Sequence, residues 1–198
     1  MESKIVYFEE TKPENTEMTF ALVKERIKSH GIKKLVLAST SGATAKKAMD
    51  FFKDAGVKLI VVPHQFDFYW KSNLFPPELV TILKEAGHEV HFGTMLFHTN
   101  RLYDSNIPLL MGNLLRCFSQ GVKVCFEIVL MATDAGLVES GENVIAIAGT
   151  SRGSDTALIM QAASTQHFTN LRVNEIICKP LNPMNLDELL EKSTANTR

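Results

Sequence analysis

The chain has 198 residues, of which 45% are hydrophobic and 22% are charged, and its formal net charge is −1 at pH 7. This balance is typical of globular proteins and provides no general attraction to nucleic acid or to an anionic membrane. The sequence has no apolar run of about 18 residues, and its N-terminus lacks the pattern of a signal peptide. We therefore expect a single cytoplasmic α/β domain over residues 1–198, without nucleic acid or membrane partners.

Short β-branched runs alternate with longer helical patterns, which predicts an α/β fold with a mainly parallel sheet. The first half of the chain is predicted to contain a strand at Lys4–Phe8, a helix cap at Asn15-Thr16-Glu17 ahead of a helix that ends at His30-Gly31, a strand at Lys34–Ala38, a helix at Thr44–Ala55, a strand at Lys58–Val62, a helix from Pro76 to Ala86 and a short strand at Glu89–Phe92. The second half is predicted to contain two helices within 106–138, broken near Gln120-Gly121, a strand at Val144–Ala148, a helix at Ser154–Ala163, a strand at Arg172–Cys178 and a helix at Leu186–Lys192. The strand at Arg172–Cys178 alternates polar and apolar residues, which suits a position at or near a sheet edge.

Two connections are long enough to carry function. Residues 64–75 (HQFDFYWKSNLF) follow one strand and are rich in aromatic side chains, and residues 94–107 follow another. Connections of this length without secondary structure are often lids or binding loops. The alternative is that the aromatic side chains only cover the core. Trp70 could accordingly stack on a flavin or a base, or pack against the core.

The turn Ser39–Thr44 (STSGAT) joins a buried strand to a helix. Gly42 allows the chain to bend and an anion to approach the backbone closely. Hydroxyl groups that can donate to phosphate oxygens come from Ser39, Thr40, Ser41 and Thr44. Because a helix N-terminus at the carboxyl end of a parallel strand favours anions, we predict a phosphate site here. The alternative is that these hydroxyls only cap the helix.

A second segment, GTSRGSDTA, repeats this plan after the strand Val144–Ala148. We interpret it as another strand-to-helix turn, spanning Gly149–Thr156. Gly149 and Gly153 supply backbone freedom, Arg152 could pair with phosphate, and hydroxyls come from Thr150, Ser151, Ser154 and Thr156. The carboxylate of Asp155 would repel phosphate. It could accept a hydrogen bond from another part of the ligand, or it could be a first-turn acid that stabilises the helix.

Two such turns on neighbouring strands would form one cleft for a ligand with a phosphate at one end and a polar body. His64 ends the strand Lys58–Val62 at the same edge of the predicted sheet. Its imidazole could contact the ligand or act as an acid or base, and the alternative is a loop histidine without a special role.

The segment STSGATA resembles the T-x-S-G-x-[ST]-A loop of the pyruvate kinase C-terminal domain, which binds effector sugar phosphates in some members. The match falls on Ser39, Ser41, Gly42 and Thr44. Ala43 stands where that loop often has a basic residue, so a sugar-bisphosphate site is not expected. Nothing in the sequence resembles the catalytic barrel of pyruvate kinase, and pyruvate kinase activity is not implied.

Over nearly its whole length the chain is similar to a small family of free-standing pyruvate kinase C-terminal-like proteins of bacteria and archaea. The resemblance rests on KIVYF, the ENT segment near Asn15, SGATA, GVKVCFEI, GTSRGSDTA and EIICKP. It implies a three-layer fold around a mixed sheet of order 3-2-1-4-5, with the last strand antiparallel. It also implies an association with flavin mononucleotide (FMN), without a settled reaction.

Other chemically reactive residues give weaker signals. Glu127 lies in the apolar run VCFEIVLMA, so we expect it to be buried, either in a structural hydrogen bond or at a functional site. Asp134 is expected to be solvated or to cap a helix. We expect Cys117, Cys125 and Cys178 to be buried reduced thiols, and the spacing of the histidines predicts no metal site.

The leading hypothesis is a protein that binds a phosphorylated ligand, FMN above all, across the two turns and the His64 loop. A flavin-dependent oxidoreductase and a non-catalytic sensor of phosphometabolites are the alternatives. The sequence assigns no catalytic residue. The long apolar helical stretch between Ile107 and Leu137 could line either the core or the interface of a homo-oligomer.

Overall fold

A computed structural model describes residues 2–68 and 72–195, and in these residues seven strands form one sheet. The strands are β1 (Val6–Phe8), β2 (Lys34–Ala38), β3 (Lys58–Val62), β4 (Glu89–Val90), β5 (Asn143–Ala148), β6 (Thr156–Gln161) and β7 (Arg172–Pro180). The helices are α1 (Asn15–His30), α2 (Ala43–Phe52), α3 (Pro77–Glu85), α4 (Asn100–Tyr103), α5 (Ile107–Arg116), α6 (Gln120–Asp134) and α7 (Leu186–Ala195), with 3₁₀ helices at Leu96–His98 and Thr165–Asn170.

The strand order is β1-β7-β6-β5-β2-β3-β4, and only the pairings made by β6 are antiparallel. The segment β4-β3-β2-β5-β6 has the predicted order 3-2-1-4-5, with its fifth strand antiparallel. The mixed-sheet prediction is therefore confirmed. β7 and β1 extend the sheet beyond β6, which places β7 next to the edge strand, as its alternating sequence predicted.

The sheet lies between two layers of helices, each with its own apolar core. The first core joins buried side chains of α1, α2 and α3 to Leu35 and Leu37 of β2. The second joins α6 to Val36 of β2 and to the same face of its neighbours. Because successive residues of a strand point to opposite faces, the continuous apolar run of β2 supplies both cores. The predicted three-layer architecture is confirmed.

The predicted helix at Ser154–Ala163 is wrong. Residues 156–161 form β6, which pairs with β5 from Ala148↔Thr156 to Asn143↔Gln161. The sequence TALIMQ is buried on both sides between β5 and β7, so it has neither an alternating nor a helical pattern. A short apolar run of this kind cannot be assigned to a strand or to a buried helix by periodicity alone.

The remaining elements lie close to their predicted positions. β2 and β3 have the predicted bounds, and α2 ends three residues earlier than predicted. The long helical stretch divides into α5 and α6, and the Ser119 hydroxyl caps α6 by accepting a hydrogen bond from the Val122 N–H at 3.0 Å. Asp134 is exposed and caps the 3₁₀ helix at Thr165, accepting hydrogen bonds from that residue's N–H and hydroxyl.

The cysteine prediction is correct for Cys125 and Cys178, which are buried free thiols, but wrong for Cys117, which is exposed just after α5. The apolar run around Cys117 faces solvent on one side of the helix, which the sequence pattern alone did not indicate.

Every helix within residues 2–68 and 72–195 is too short or too polar to cross a lipid bilayer.

Candidate functional site

The candidate site lies at the carboxyl edge of the parallel strands. β2 and β5 are neighbours with Leu37 opposite Ile147, and β3 lies on the other side of β2 with Val62 opposite Ala38. The segments that follow these strands, Ser39–Thr44, His64 and Gly149–Asp155, therefore emerge at one edge, as the sequence predicted.

The first turn requires glycine at position 42. Gly42 has a φ of 81° and lies at the N-terminus of α2. A Cβ atom there would lie 2.5 Å from Leu79 Cδ2 and 3.1 Å from Pro76 Cδ. The left-handed backbone and the close packing of α3 against the turn both exclude a side chain. This turn directs the first residues of α2 back toward the sheet edge.

The hydroxyls of the first turn have different roles. Ser39 is buried, and its Oγ accepts a hydrogen bond from the Ala45 N–H at 3.2 Å, so for this residue the capping interpretation is correct. Thr40 and Thr44 are half-buried, and Ser41 and Ala43 are exposed.

The N-terminus of α2 has a positive electrostatic character. The N–H groups of Ala43 and Thr44 have no acceptor within the helix, because they belong to its first turn. The first turn contains no acidic residue, and Lys46 and Lys47 are exposed just beyond it. Partial positive charge from the helix and full charge from the lysines together favour an anion at this position.

A narrow pocket of about 10 Å³, which is room for about one water molecule, opens beside the first turn. Its lining consists of Thr40, His64, Gln65, Phe68, Ser72, Asn73 and Leu74. The structure thus brings Thr40 of the predicted phosphate turn and the predicted His64 loop together. Trp70, the other residue of this loop named above, lies outside the described residues.

Hydrogen bonds fix the loop that forms this pocket. The Asn73 side-chain N–H donates to the His64 carbonyl at 2.7 Å, and its Oδ1 accepts from the Phe75 N–H at 2.9 Å. Gln65 Oε1 accepts from the Met95 N–H at 2.8 Å, which ties the loop to the segment after β4. These hydrogen bonds therefore hold the backbone of His64 and the side chain of Gln65 in place at the pocket.

The second segment is a loop between antiparallel strands, and the prediction that Gly149–Thr156 leads into a helix is wrong because β6 begins at Thr156. Asp155 Oδ2 accepts from the Thr150 N–H at 3.1 Å and from its hydroxyl at 2.6 Å, while Oδ1 accepts from the Thr156 hydroxyl at 2.8 Å. The carboxylate organises the loop, and its interpretation as a first-turn acid is wrong.

The second loop packs on the start of α1. The Ser154 N–H donates to Thr16 Oγ1 at 2.9 Å, and a Cβ atom on Gly153 would lie 2.4 Å from the same oxygen. Ser154 and Thr156 are buried, Gly149, Thr150 and Gly153 are half-buried, and Ser151 and Arg152 are exposed. Ser151 and Arg152 are therefore the side chains of this loop that are open to a ligand.

A buried polar cluster that the sequence did not predict lies behind the pocket. Lys123 Nζ is 2.5 Å from Glu127 Oε2 and 2.9 Å from His98 Nε2, and the Lys123 and Glu127 side chains are only 1% and 2% exposed. Glu127 Oε1 also accepts from the Phe97 N–H at 2.9 Å. Glu127 is thus buried as predicted, and it makes a structural hydrogen bond. The i, i+4 spacing of a lysine and a glutamate in an apolar helix was the available signal.

Aromatic packing connects this cluster to the pocket. The ring of Phe68, which lines the pocket, lies edge-on to His64 at 5.4 Å and to His98 at 4.9 Å between ring centroids. Arg116 is 9% exposed and is held by Asn113 and Gln120 through hydrogen bonds of 2.7 and 2.8 Å. The cluster and the pocket are therefore separated by the thickness of one side chain.

The environment changes the protonation of the histidines. Burial, followed by the positive charges of Lys123 and Arg116, lowers the pKa of His98 to about 3. Burial also lowers the pKa of His64, although the charge of Glu127 opposes this shift. Burial lowers the pKa of Lys123, and the adjacent Glu127 carboxylate acts in the opposite direction. Because the Lys123 ammonium can only donate, His98 Nε2 accepts and the ring proton lies on Nδ1.

This arrangement can bind an anion at one end and hold protons at the other. The α2 N-terminus supplies positive potential, and His64, which is neutral and lies close to the buried lysine–glutamate pair, supplies a group that can accept a proton. Within the described part of the chain, no group of three or more His, Cys, Asp or Glu side chains is placed to hold a metal ion.

The fold defines the class, an α/β protein with one mainly parallel sheet between two layers of helices. Residues 17–160 match the family described as pyruvate kinase, alpha/beta domain, and this match covers more than half of the chain. The chain belongs to this family.

Solved structures with some similarity have low overall agreement. A pyruvate kinase from Cryptosporidium parvum is 17% identical, with a TM-score of 0.42, and the alignment covers 75% of this chain and 23% of that one. The enzyme from the same organism in complex with ADP is 17% identical, with a TM-score of 0.39 and coverage of 83% and 24%. A methyltransferase from Podospora anserina bound to SAH is 11% identical, with a TM-score of 0.29 and coverage of 65% and 51%. The chain spans about a quarter of the length of these pyruvate kinases.

Proposed function

We propose that the protein binds a phosphorylated ligand, FMN in particular, at the carboxyl edge of the sheet. The observation that carries the proposal is the N-terminus of α2, which opens beside a pocket lined by Thr40 and His64. The phosphate would accept hydrogen bonds from the first N–H groups of α2 and from the Thr40 and Ser41 hydroxyls.

The residues around this position fit such a ligand. His64 and Phe68 provide planar rings for a ring system, and Gln65 and Asn73 provide amides. The pocket itself holds only about one water molecule, so the phosphate would lie at its mouth and the remainder of the ligand would extend over the surface. Ser151 and Arg152, exposed after the neighbouring strand β5, are candidates to contact that remainder.

Thermal unfolding with FMN and with riboflavin tests the proposal. We expect FMN to raise the melting temperature, and riboflavin, which lacks the phosphate, to raise it much less. We expect Ser41→Asp to abolish the FMN effect, because its carboxylate would repel the phosphate. Asn106→Asp, which adds the same charge at the N-terminus of α5, is the control and should respond like the wild type.

The outcomes distinguish a wrong choice of ligand from a wrong location of the site. If neither FMN nor any of a panel of sugar phosphates and nucleotides stabilises the protein, the proposal is wrong. Stabilisation by another phosphorylated metabolite, lost in Ser41→Asp, would keep the phosphate site and replace FMN by that ligand. An FMN effect that survives Ser41→Asp would contradict the assignment of the site.

A second candidate function, a flavin-dependent oxidoreductase, is favoured by the buried cluster behind the pocket. A buried ion pair costs desolvation energy and is weak evidence for stability, whereas titratable groups with shifted pKa values concentrate at functional sites. FMN, when bound, would supply hydride or electron transfer. His64 at the pocket would accept a proton, with Lys123 and Glu127 setting the charge around it.

Anaerobic reduction of bound FMN by nicotinamide cofactors tests this second candidate. We expect the oxidised flavin absorbance to disappear in the wild type, and His64→Gln to slow this at least about tenfold, with a changed pH profile. His167→Gln, which alters an exposed histidine far from the pocket in sequence, is the control. If bound FMN is reduced by neither cofactor nor by a panel of metabolites, the non-catalytic sensor becomes the better interpretation.

A further inference from the structure

One surface of the protein is apolar to an unusual degree. We call it the α5 face, and it consists of Leu102, Tyr103, Ile107, Leu110, Leu114 and Phe118. The first five side chains are 65–70% exposed, and Phe118 is 50% exposed. Single exposed apolar residues are ordinary, but six large ones along α4, α5 and the residues just after α5 indicate a binding surface.

The α5 face has the size of a stable interface. Six large side chains at these exposures present on the order of 700 Å² of accessible surface. The largest apolar patch on a typical monomer is about 300–600 Å², and a standard interface buries about 800 Å² on each partner. Association through this face would therefore approach the area that a specific dimer needs.

The face carries no charge along α5. From Asn106 to Phe118 every exposed residue is uncharged, and the one charged residue, Arg116, is turned inward and bonded to Asn113 and Gln120. At the α4 end, Leu102 and Tyr103 lie in sequence between the exposed Arg101 and Asp104, whose charges are opposite. A membrane-binding surface would carry an excess of lysine or arginine, and a charged partner would need a net complementary charge. An apolar face without net charge is best matched by an identical one.

The spacing of the exposed residues also suits self-association. Ile107, Leu110 and Leu114 follow one another at intervals of three and four, the spacing of a seam between paired helices. These three positions are nearly symmetric about the middle of α5. When two copies of the helix pack antiparallel, Ile107 of one copy therefore lies opposite Leu114 of the other. A two-fold interface requires such self-complementarity.

We propose that the protein forms a homodimer in which the α5 face packs antiparallel on the α5 face of a second copy. Ile107 contacts Leu114 of the other copy, and the two Leu110 side chains meet near the two-fold axis. The opposite side of α5 already packs inside the protein, where Gly112 approaches Phe97, Arg116 and Lys123. The dimer therefore also braces the helix that covers the buried cluster.

Light scattering coupled to size-exclusion chromatography tests the dimer. We expect twice the mass of the chain at micromolar concentration. We expect Leu110→Glu to raise the dimer dissociation constant at least about 100-fold, because it places two carboxylates at an apolar axis. Ile82→Glu, which changes a side chain that is 46% exposed on α3, is the matched control and should remain dimeric. Circular dichroism of each variant verifies that it is folded.

Cross-linking tests the antiparallel register. In this arrangement two Leu110→Cys side chains lie close, whereas the two Cys117 thiols lie roughly 20 Å apart, given a rise of about 1.5 Å per residue. The test uses the double variant Leu110→Cys/Cys117→Ser. Oxidation should link this variant into a disulfide dimer and should leave the wild type unlinked. Rapid linkage through Cys117 instead would overturn the antiparallel register.

Three results would overturn the proposal as a whole. A monomeric mass up to about 100 µM would do so, as would a dimer that Leu110→Glu leaves intact. A monomer that sediments with neutral or anionic phospholipid vesicles, and loses this in Leu110→Glu, would identify the α5 face as a membrane surface. The measurement needs no bound ligand, so its outcome is independent of the proposed FMN site.

Discussion

At the scale of single residues, Gly42 combines two constraints that different substitutions can separate. Its backbone is left-handed, with a φ of 81°, and its Cα faces Leu79 at a distance that leaves no room for a Cβ atom. Gly56 has a similar φ of 65°, but nothing lies within 4 Å of the position of its Cβ atom. The pair therefore distinguishes the conformational cost from the packing cost.

We expect Gly42→Ala to lower the free energy of unfolding by more than Gly56→Ala. Both variants should lose about 1–2 kcal/mol from the left-handed backbone. Gly42→Ala should lose a further 1–3 kcal/mol, roughly, from overpacking against α3. Urea denaturation of the two variants measures the difference. Equal losses would show that α3 moves aside without cost and that the close contact does not constrain the turn.

The sequence indicated which residues would gather at the sheet edge but not what each one does. Thr40 and His64 meet because both follow parallel strands, and a rule about strand ends is sufficient to predict this. The role of Asp155 could not be predicted in the same way. Its hydrogen bonds to Thr150 and Thr156 exist because the chain turns back into a strand rather than into a helix.

At the scale of elements, predictability followed the clarity of each apolar pattern. β2 and β3 are bounded by polar or turn residues and have the predicted bounds. β6 has no such pattern, since both of its faces are buried. The sequence predicted the burial of Glu127, because this residue lies in an apolar run. It did not predict that Lys123 and His98 lie beside it, since this depends on how α6 packs on the segment after β4.

The sheet order came from the family resemblance rather than from the pattern of elements. Periodicity indicated a parallel sheet, but it cannot order strands whose connections are helices on either face. The addition of β7 and β1 beyond β6 depends on long-range pairing, such as Val6 opposite Cys178, which local sequence does not encode.

At the scale of the whole molecule, the buried histidines couple folding to pH. The pKa of His98 is about 3 in the folded protein, below its ordinary value of 6.5, because of burial and of the charges on Lys123 and Arg116. His64 shifts in the same direction, with the Glu127 charge opposing it. Between pH 6.5 and pH 3, His98 binds a proton in the unfolded chain but not in the native protein. The free energy of unfolding therefore falls as the pH falls from about 6.5 toward 3.

We expect this loss of stability to depend on His98 itself. One group changes the free energy of unfolding by at most about 1.4 kcal/mol per pH unit, and by less here because the ring is partly exposed. His98→Asn, which does not titrate, should be relatively more stable at acid pH, so its difference from the wild type should shift in its favour between about pH 7 and pH 4. His167→Asn, at an exposed position, should show no such shift. Urea denaturation at several pH values measures both differences. If the stabilities of the wild type and of His98→Asn fall in parallel with pH, the His98 imidazole gains its proton in the folded state as readily as in the unfolded chain. Lys123 would then not hold His98 neutral.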